Sequence, residues 1–315
     1  MMDARRLFPV DQVVLREVGL RDGLQLTRHY PTTQQKLDWL SREYRAGVRH
    51  FEVGSFLPST RFPQFADLRV LIDATSRLDG AYSTALTLNE RGVADALETQ
   101  VDEMIFVVSA TESHSMANTR RSRAEAIEML ARIDAQRRAG RSDLPVLTAG
   151  IAMSFGCSLE GEVNPRDVID ISERAIKAGA DVLAIADTVG FGGPAQVAWM
   201  VRELRRALGD DQPIAMHFHD TRGLALANCA AALDNGIRVL DGCLGGLGGC
   251  PFAPGATGNT VFEDMVFLCK TMGLQTNIDI DGLLAARKVV AASMPDEPLH
   301  GALARAGLPK VLEDA

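Results

Sequence analysis

His217 and His219 stand two residues apart in the run His217-Phe218-His219-Asp220. In an extended strand that spacing sends both imidazoles to one face. Either ring alone would be read as a hydrogen-bonded structural histidine. The chain also carries Asp22, in Glu17–Gln25 (EVGLRDGLQ), and Asn259, after a glycine-dense stretch. Two imidazoles, a carboxylate and an amide oxygen, without sulfur, suit an octahedral Mg²⁺ or Mn²⁺ better than structural zinc. Ligand type by itself also admits zinc or cobalt. Asp22, His217, His219 and Asn259 are the expected ligands of a divalent metal.

Other side chains extend the chemistry. Arg21 adjoins Asp22 and could hold an oxygen that gains enolate charge, because its fork is rigid and always charged. Glu52 is expected to orient Arg21 as its ion-pair partner or to act in catalysis. Asp187, in Asp187-Thr188, reads equally as a general base or a structural hydrogen-bonder, and His217 is the other candidate base. Gln25 and Ser55 are expected substrate contacts. Cys250 follows four glycines within five residues, Gly245-Gly246-Leu247-Gly248-Gly249. Such a loop fits a phosphate cradle, a flexible turn, or a lid that delivers an acid–base thiol. The other cysteines, Cys157, Cys229, Cys243 and Cys269, lie in or near apolar or helical segments and read as small buried hydrophobes.

These groups can meet only if the elements bring them together. Apolar, β-branched runs predict strands over Val13–Leu20, His50–Phe56, Ala81–Thr87, Glu103–Ala110, Val146–Phe155, Asp181–Thr188, Pro213–Asp220 and Val239–Gly246. Helical patterns lie between them, as at Thr33–Ala46, Arg123–Arg138, Pro165–Ala178, Pro194–Leu208 and Leu224–Asn235. Several open on Pro, Asn or Thr and close near Gly47, Gly179 or Gly236. Strict alternation with eight strands predicts an α/β fold, a closed (β/α)8 TIM barrel. No GxGxxG follows the first strand, against a dinucleotide-binding sheet. The barrel is expected over about 10–275, with a short helical C-terminal extension over 276–315, as one catalytic domain. In a closed barrel strands 7, 8 and 1 form one arc, so the four ligands and the loops around them share one mouth.

The 315 residues carry a formal net charge of -8, with 46% hydrophobic and 23% charged residues. That balance fits a soluble enzyme and disfavours a nucleic-acid partner. No apolar stretch is long enough to span a membrane. Five cysteines without a CxxC spacing fit a reducing compartment. With no secretory signal core at the start and no targeting address at the end, a cytoplasmic location is expected.

The motifs resemble those of the 3-hydroxy-3-methylglutaryl-CoA lyase family, within the metal-dependent TIM-barrel lyases and acyltransferases. The likeness spans nearly the whole chain. It rests on Glu17–Gln25, Glu52–Phe56 (EVGSF), Pro63–Asp67 (PQFAD), Asp187–Gly190 (DTVG), His217–Gly223 (HFHDTRG) and, most specifically, Gly245–Asp264 (GGLGGCPFAPGATGNTVFED). The resemblance implies metal ligands at Asp22, His217, His219 and Asn259, an enolate-stabilising Arg21 and a catalytic Cys250. It implies acidic supporting residues at Glu52, Asp187 and Glu263. It further implies retro-Claisen cleavage of a 3-hydroxyacyl-CoA to acetyl-CoA and a keto acid such as acetoacetate. An acyl-CoA substrate and a homodimer or higher homo-oligomer are expected.

Three mouth loops depart from the family pattern. Thr60-Arg61 replaces a Lys-Trp pair, Leu88 replaces a Pro, and Gly156-Cys157-Ser158-Leu159-Glu160-Gly161 replaces Gly-Cys-Pro-Tyr-Glu-Gly. A related acyl group such as that of citramalyl-CoA is therefore the first alternative. An aldolase or condensing acyltransferase on the same barrel is the second. A non-catalytic CoA-ester-binding barrel would be favoured by loss of Asp22, a histidine or Cys250, and all are present.

Overall fold

The structure, a computed structural model, describes residues 4–140, 143–249 and 258–310. Eight parallel strands close into a barrel in chain order: β1 (Val14–Glu17), β2 (His50–Ser55), β3 (Tyr82–Leu86), β4 (Glu103–Ser109), β5 (Val146–Ala152), β6 (Val182–Asp187), β7 (Ile214–Phe218) and β8 (Val239–Gly242). β8 closes on β1 with Arg16 beside Asp241 and Glu17 beside Gly242. The expected TIM barrel is the observed fold.

Twelve helices are described: α1 (Ala4–Leu7), α2 (Thr33–Arg45), α3 (Leu68–Ser76), α4 (Glu90–Leu97), α5 (Glu112–Thr119), α6 (Arg123–Gly140), α7 (Pro165–Lys177), α8 (Pro194–Leu208), α9 (Ala225–Asp234), α10 (Phe262–Thr271), α11 (Ile280–Ser293) and α12 (Leu303–Ala306). Their starts follow local chemistry. Thr32 and Gln35 form a capping box at α2, with Gln35 N–H donating to Thr32 Oγ1 and Thr32 N–H to Gln35 Oε1. Asn164 caps α7 ahead of Pro165. After α2, Gly47 takes φ +102°, and a Cβ there would come within 2.2 Å of the Asn277 carbonyl. That close approach lets the segment before α11 dock, and Asp279 N–H donates to Ala46 O at 2.7 Å. α11 and α12 are the helical C-terminal stretch, with α11 against α2.

The main core lies between barrel and helices. A second cluster closes the barrel bottom, where Leu7 and Phe8 cover Val14, Val146, Val182, Ala215 and Val239. Among the described residues no helix is long and apolar enough to cross a membrane.

The strands end earlier than their sequences suggest. β1 stops at Glu17, because the Val18 carbonyl captures the N–H groups of Arg21, Asp22 and Gly23 at 3.2, 2.8 and 3.2 Å. The chain turns there through one π-helical turn, Gly19–Gly23. Arg21 and Asp22 thus sit on a turn above the barrel and not on the strand itself. β8 stops at Gly242, and Leu244–Gly246 form a 3₁₀ turn in which Gly245 and Gly246 have positive φ. β7 stops at Phe218, and β5 at Ala152 ahead of Met153, whose φ is +62°.

Candidate active site

The segment Gly258–Phe262 is threaded between the upper ends of β7 and β8. His219 and Asn259 form a single antiparallel bridge, Thr260 N–H donates to Phe218 O at 3.0 Å, and Cys243 N–H donates to Thr260 O at 2.9 Å. Gly258 is required there, since a Cβ would meet the Gly246 carbonyl at 2.1 Å. This insertion carries Asn259 from the glycine loop to the histidines.

Ligand atoms of Asp22, His217 and His219 all lie within 4.8 Å of one another. His217 Nε2 and His219 Nε2 are 3.0 Å apart, and His219 Nε2 is 3.9 Å from Asp22 Oδ1. Two ligands at about 2.1 Å from one ion and at right angles stand about 3.0 Å apart, so the imidazole pair fits a shared divalent ion. Asn259 Nδ2 donates to Asp22 Oδ1 at 3.0 Å and to Leu247 O at 3.1 Å. Its Oδ1 is buried without a hydrogen-bond partner among the described residues, as an oxygen reserved for a ligand would be. The donor set, two nitrogens with carboxylate and amide oxygens, fits a hard or borderline cation.

Electrostatics agree with that use. Burial alone would raise the Asp22 carboxyl, yet Arg21, His217, His219 and Asn259 together hold it below its ordinary value. Burial, reinforced by the neighbouring His217, lowers His219 to about 4, which keeps its ring neutral. At His217 burial also pulls down, but Asp241 and Asp22 outweigh it and the net shift is upward.

Arg21 is gripped from two sides. Its Nη1 pairs with Asp22 Oδ2, and its Nε lies 3.2 Å from Glu52 Oε1, an ion pair without good hydrogen-bond alignment. Glu52 is the expected ion-pair partner; burial pushes its carboxyl up to about 7 against the pull of Arg21 and Arg16.

Other expected residues are placed differently. Asp187 lies in register beside Phe218, one row off His217. Its carboxylate accepts N–H groups from Phe191 and Gly192, both at 2.9 Å, and burial raises its pKa. Ser55 is buried and its hydroxyl donates to Leu86 O at 3.4 Å. Gln25 is anchored through its backbone, where its N–H donates to Asp22 O and its carbonyl accepts from Gln64 Nε2 at 3.2 Å. Glu263 accepts from Gly245 N–H at 2.9 Å and pairs with Arg287. Cys250 lies outside the described residues. Cys157, Cys229, Cys243 and Cys269 are free and buried, as expected.

Sequence reasoning did not single out Arg16, Glu103, Asp241 or Glu17. Arg16, fully buried, pairs with Asp241 and Glu103, and Asp241 Oδ2 is 3.1 Å from His217 Nδ1. Glu17 accepts from Gly19 and Leu244 N–H at 2.9 and 3.0 Å, tying the π-turn to the 3₁₀ turn. The available signal was a charge inside each apolar strand, since a buried charge needs a partner.

A hydroxymethylglutaryl-CoA lyase of Bacillus subtilis is 37% identical over 285 residues, covering 90% of this chain and 93% of that protein. An (R)-citramalyl-CoA lyase of Chloroflexus aurantiacus is 34% identical over 311 residues, covering 95% and 96%. The structure of an HMG-CoA lyase from A. baumannii, in complex with coenzyme A and 3-methylmalate, superposes with a TM-score of 0.88 at 33% identity, covering 96% of this chain and 98% of that one. The sequence model of the HMGL-like family matches residues 12–290, spanning all eight strands and every ligand of the cluster, and the chain belongs to that family.

Proposed function

We propose that this chain is a divalent-metal-dependent carbon–carbon lyase that cleaves 3-hydroxy-3-methylglutaryl-CoA to acetyl-CoA and acetoacetate. The observation that carries it is the convergence of Asp22, His217 and His219 beside a doubly held Arg21, on a barrel of the HMGL-like family. Mg²⁺ or Mn²⁺, held by these three residues and Asn259, supplies Lewis-acid polarisation and lowers the pKa of the substrate hydroxyl.

The bond to be broken joins the hydroxyl-bearing carbon to the carbon alpha to the thioester. The hydroxyl proton goes to Asp187 or to His217, the two candidate bases. His217 has Nδ1 beside Asp241 and Nε2 beside the other ligand atoms. Asp187 accepts N–H groups from Phe191 and Gly192, and its raised pKa suits a base. As the hydroxyl-bearing carbon becomes a ketone, the bonding pair moves into the thioester as an enolate. Arg21 holds that enolate oxygen, a preorganised contact worth about 3 kcal/mol. Cys250 then gives a proton to the alpha carbon, completing acetyl-CoA. Gln25 and Ser55 are the proposed substrate contacts. The whole chain serves as one catalytic domain, in the cytoplasm, as a homodimer or higher homo-oligomer.

Citramalyl-CoA is the second reading, favoured by the departures at Thr60-Arg61, Leu88 and Ser158-Leu159 and by the citramalyl-CoA lyase relative. A panel of CoA thioesters decides between them. Protein stripped with EDTA is expected to be inactive and to recover acetyl-CoA formation with Mg²⁺ or Mn²⁺, fastest on the methylglutaryl ester. Full activity without metal, or none on any ester, would overturn the assignment.

A further inference from the structure

Beneath the ligand cluster, the barrel lumen holds charges that the reaction itself does not use. Arg16 on β1, Glu103 on β4 and Asp241 on β8 are all buried. Arg16 Nε and Nη2 donate to Asp241 Oδ1 and Oδ2 at 2.9 and 3.0 Å, while Nη1 donates to Glu103 Oε1 and Oε2 at 2.9 and 2.7 Å. Thr84 and Thr148 hydroxyls donate to Glu103 at 2.6 and 2.5 Å. On its upper side Asp241 Oδ2 lies 3.1 Å from His217 Nδ1.

We infer that Asp241, clamped by Arg16 and Glu103, is a positioning residue that fixes His217 as a pre-set metal ligand, its proton on Nδ1 and its Nε2 lone pair toward the ion. The inference rests on the metal reading above. An ionised carboxylate can only accept, so the hydrogen between Asp241 and His217 belongs to Nδ1. A neutral ring with its proton there has a lone pair at Nε2, the atom that faces His219 and Asp22. The planar guanidinium fork engages both Asp241 oxygens, and Glu103 grips the fork from the other side, so the carboxylate cannot rotate away.

The two histidines are held unequally. His217 Nδ1 faces Asp241 Oδ2 at 3.1 Å, whereas His219 Nδ1 is buried without a hydrogen-bond partner among the described residues. The charged cluster thus fixes the tautomer of His217 and leaves that of His219 unset.

The direct test is ¹⁵N NMR of histidine-labelled, metal-free protein, at a pH where all six rings are neutral. The signals of His217 are assigned from a His217→Gln variant. The expected result is an Nδ1–H ring at His217. An Nε2–H ring at His217 would overturn the proposal. The second test is Mn²⁺ titration of Asp241→Ala by calorimetry, with circular dichroism to establish the fold. Affinity is expected to fall about 10–100-fold, the usual worth of a carboxylate behind a ligating histidine. Asp241→Asn, which keeps an acceptor oxygen, should lose less. A folded Asp241→Ala variant with parental affinity would refute the role, and if that variant does not fold the parental tautomer decides. Were the parent itself to bind no Mn²⁺, the metal assignment would fall, while the His217 tautomer would still decide the role of Asp241.

Discussion

At Arg21 the side chain's orientation is set before any substrate arrives, because Asp22 takes Nη1 and Glu52 stands beside Nε. A lysine could supply the charge but not be held at two points along a rigid plane. Arg21→Lys is therefore expected to lower kcat about 100–1,000-fold, the range for losing a preorganised oxyanion donor, with KM changed only a few-fold. Steady-state kinetics at saturating Mn²⁺ checks this, and an effect confined to KM would make Arg21 a binding contact. The ligand residues were legible in the sequence because alternate histidines on a strand share a face whatever surrounds them. Arg16, Glu103 and Asp241 were not, because each finds its partner on a different strand. Their pairing across 225 and 87 residues depends on barrel register. Asp187 kept two readings for a related reason: DTVG shows a carboxylate at a strand end, while its bonds to Phe191 and Gly192 belong to the folded loop.

The elements above the barrel are tied by buried acids. Glu17 joins the Gly19–Gly23 turn to Leu244, Glu263 holds Gly245, and Glu43 of α2 is buried beside Trp39 without a well-aligned hydrogen bond. Burial drives all three carboxyls upward, Glu17 to about 7, and their mutual repulsion adds to the shift at each of Glu17 and Glu43. The folded state thus binds protons that the unfolded chain has released above about pH 4.5. Their contribution is fully present below that range and is lost as pH rises, for Glu17 through about 7. Thermal melts of metal-free protein are expected to show Tm declining from pH 5 to pH 8. Glu43→Gln, which cannot ionise, should flatten that slope; a parental slope in the variant would remove Glu43 from the explanation. Helix starts were readable from Thr32, Gln35, Asn164 and Pro165, whose capping chemistry is local. Strand ends were not. Val18-Gly19-Leu20 has the apolar content of a continuing strand, and only the capture of three N–H groups by one carbonyl stops it.

On the scale of the molecule, the two barrel ends divide the work. The proposed chemistry occupies the top, and α1 closes the bottom, with Phe8 stacked on His50 at 5.7 Å and buried against the strand starts. The barrel was expected to begin near residue 10, and the plug before it was not foreseen, since Leu7-Phe8-Pro9 is too short to reveal its target. Phe8→Ala should cost about 3–5 kcal/mol of stability, the range for emptying an aromatic core site, while leaving kcat within two-fold. Chemical denaturation and kinetics on the same preparation separate the effects, and a large loss of kcat would show that the ends are coupled. Arg16 carries a different consequence, for the order of folding. Its partners come from the fourth and the eighth strand, so an assembly lacking the last strand leaves a buried guanidinium with half its counterions. Such a species forfeits the charge-assisted bonds to Asp241 and bears a desolvation cost that only ring closure offsets. Seven-stranded intermediates are thereby penalised, and completion of the ring is coupled to the final, most sequence-distant pairing of the chain.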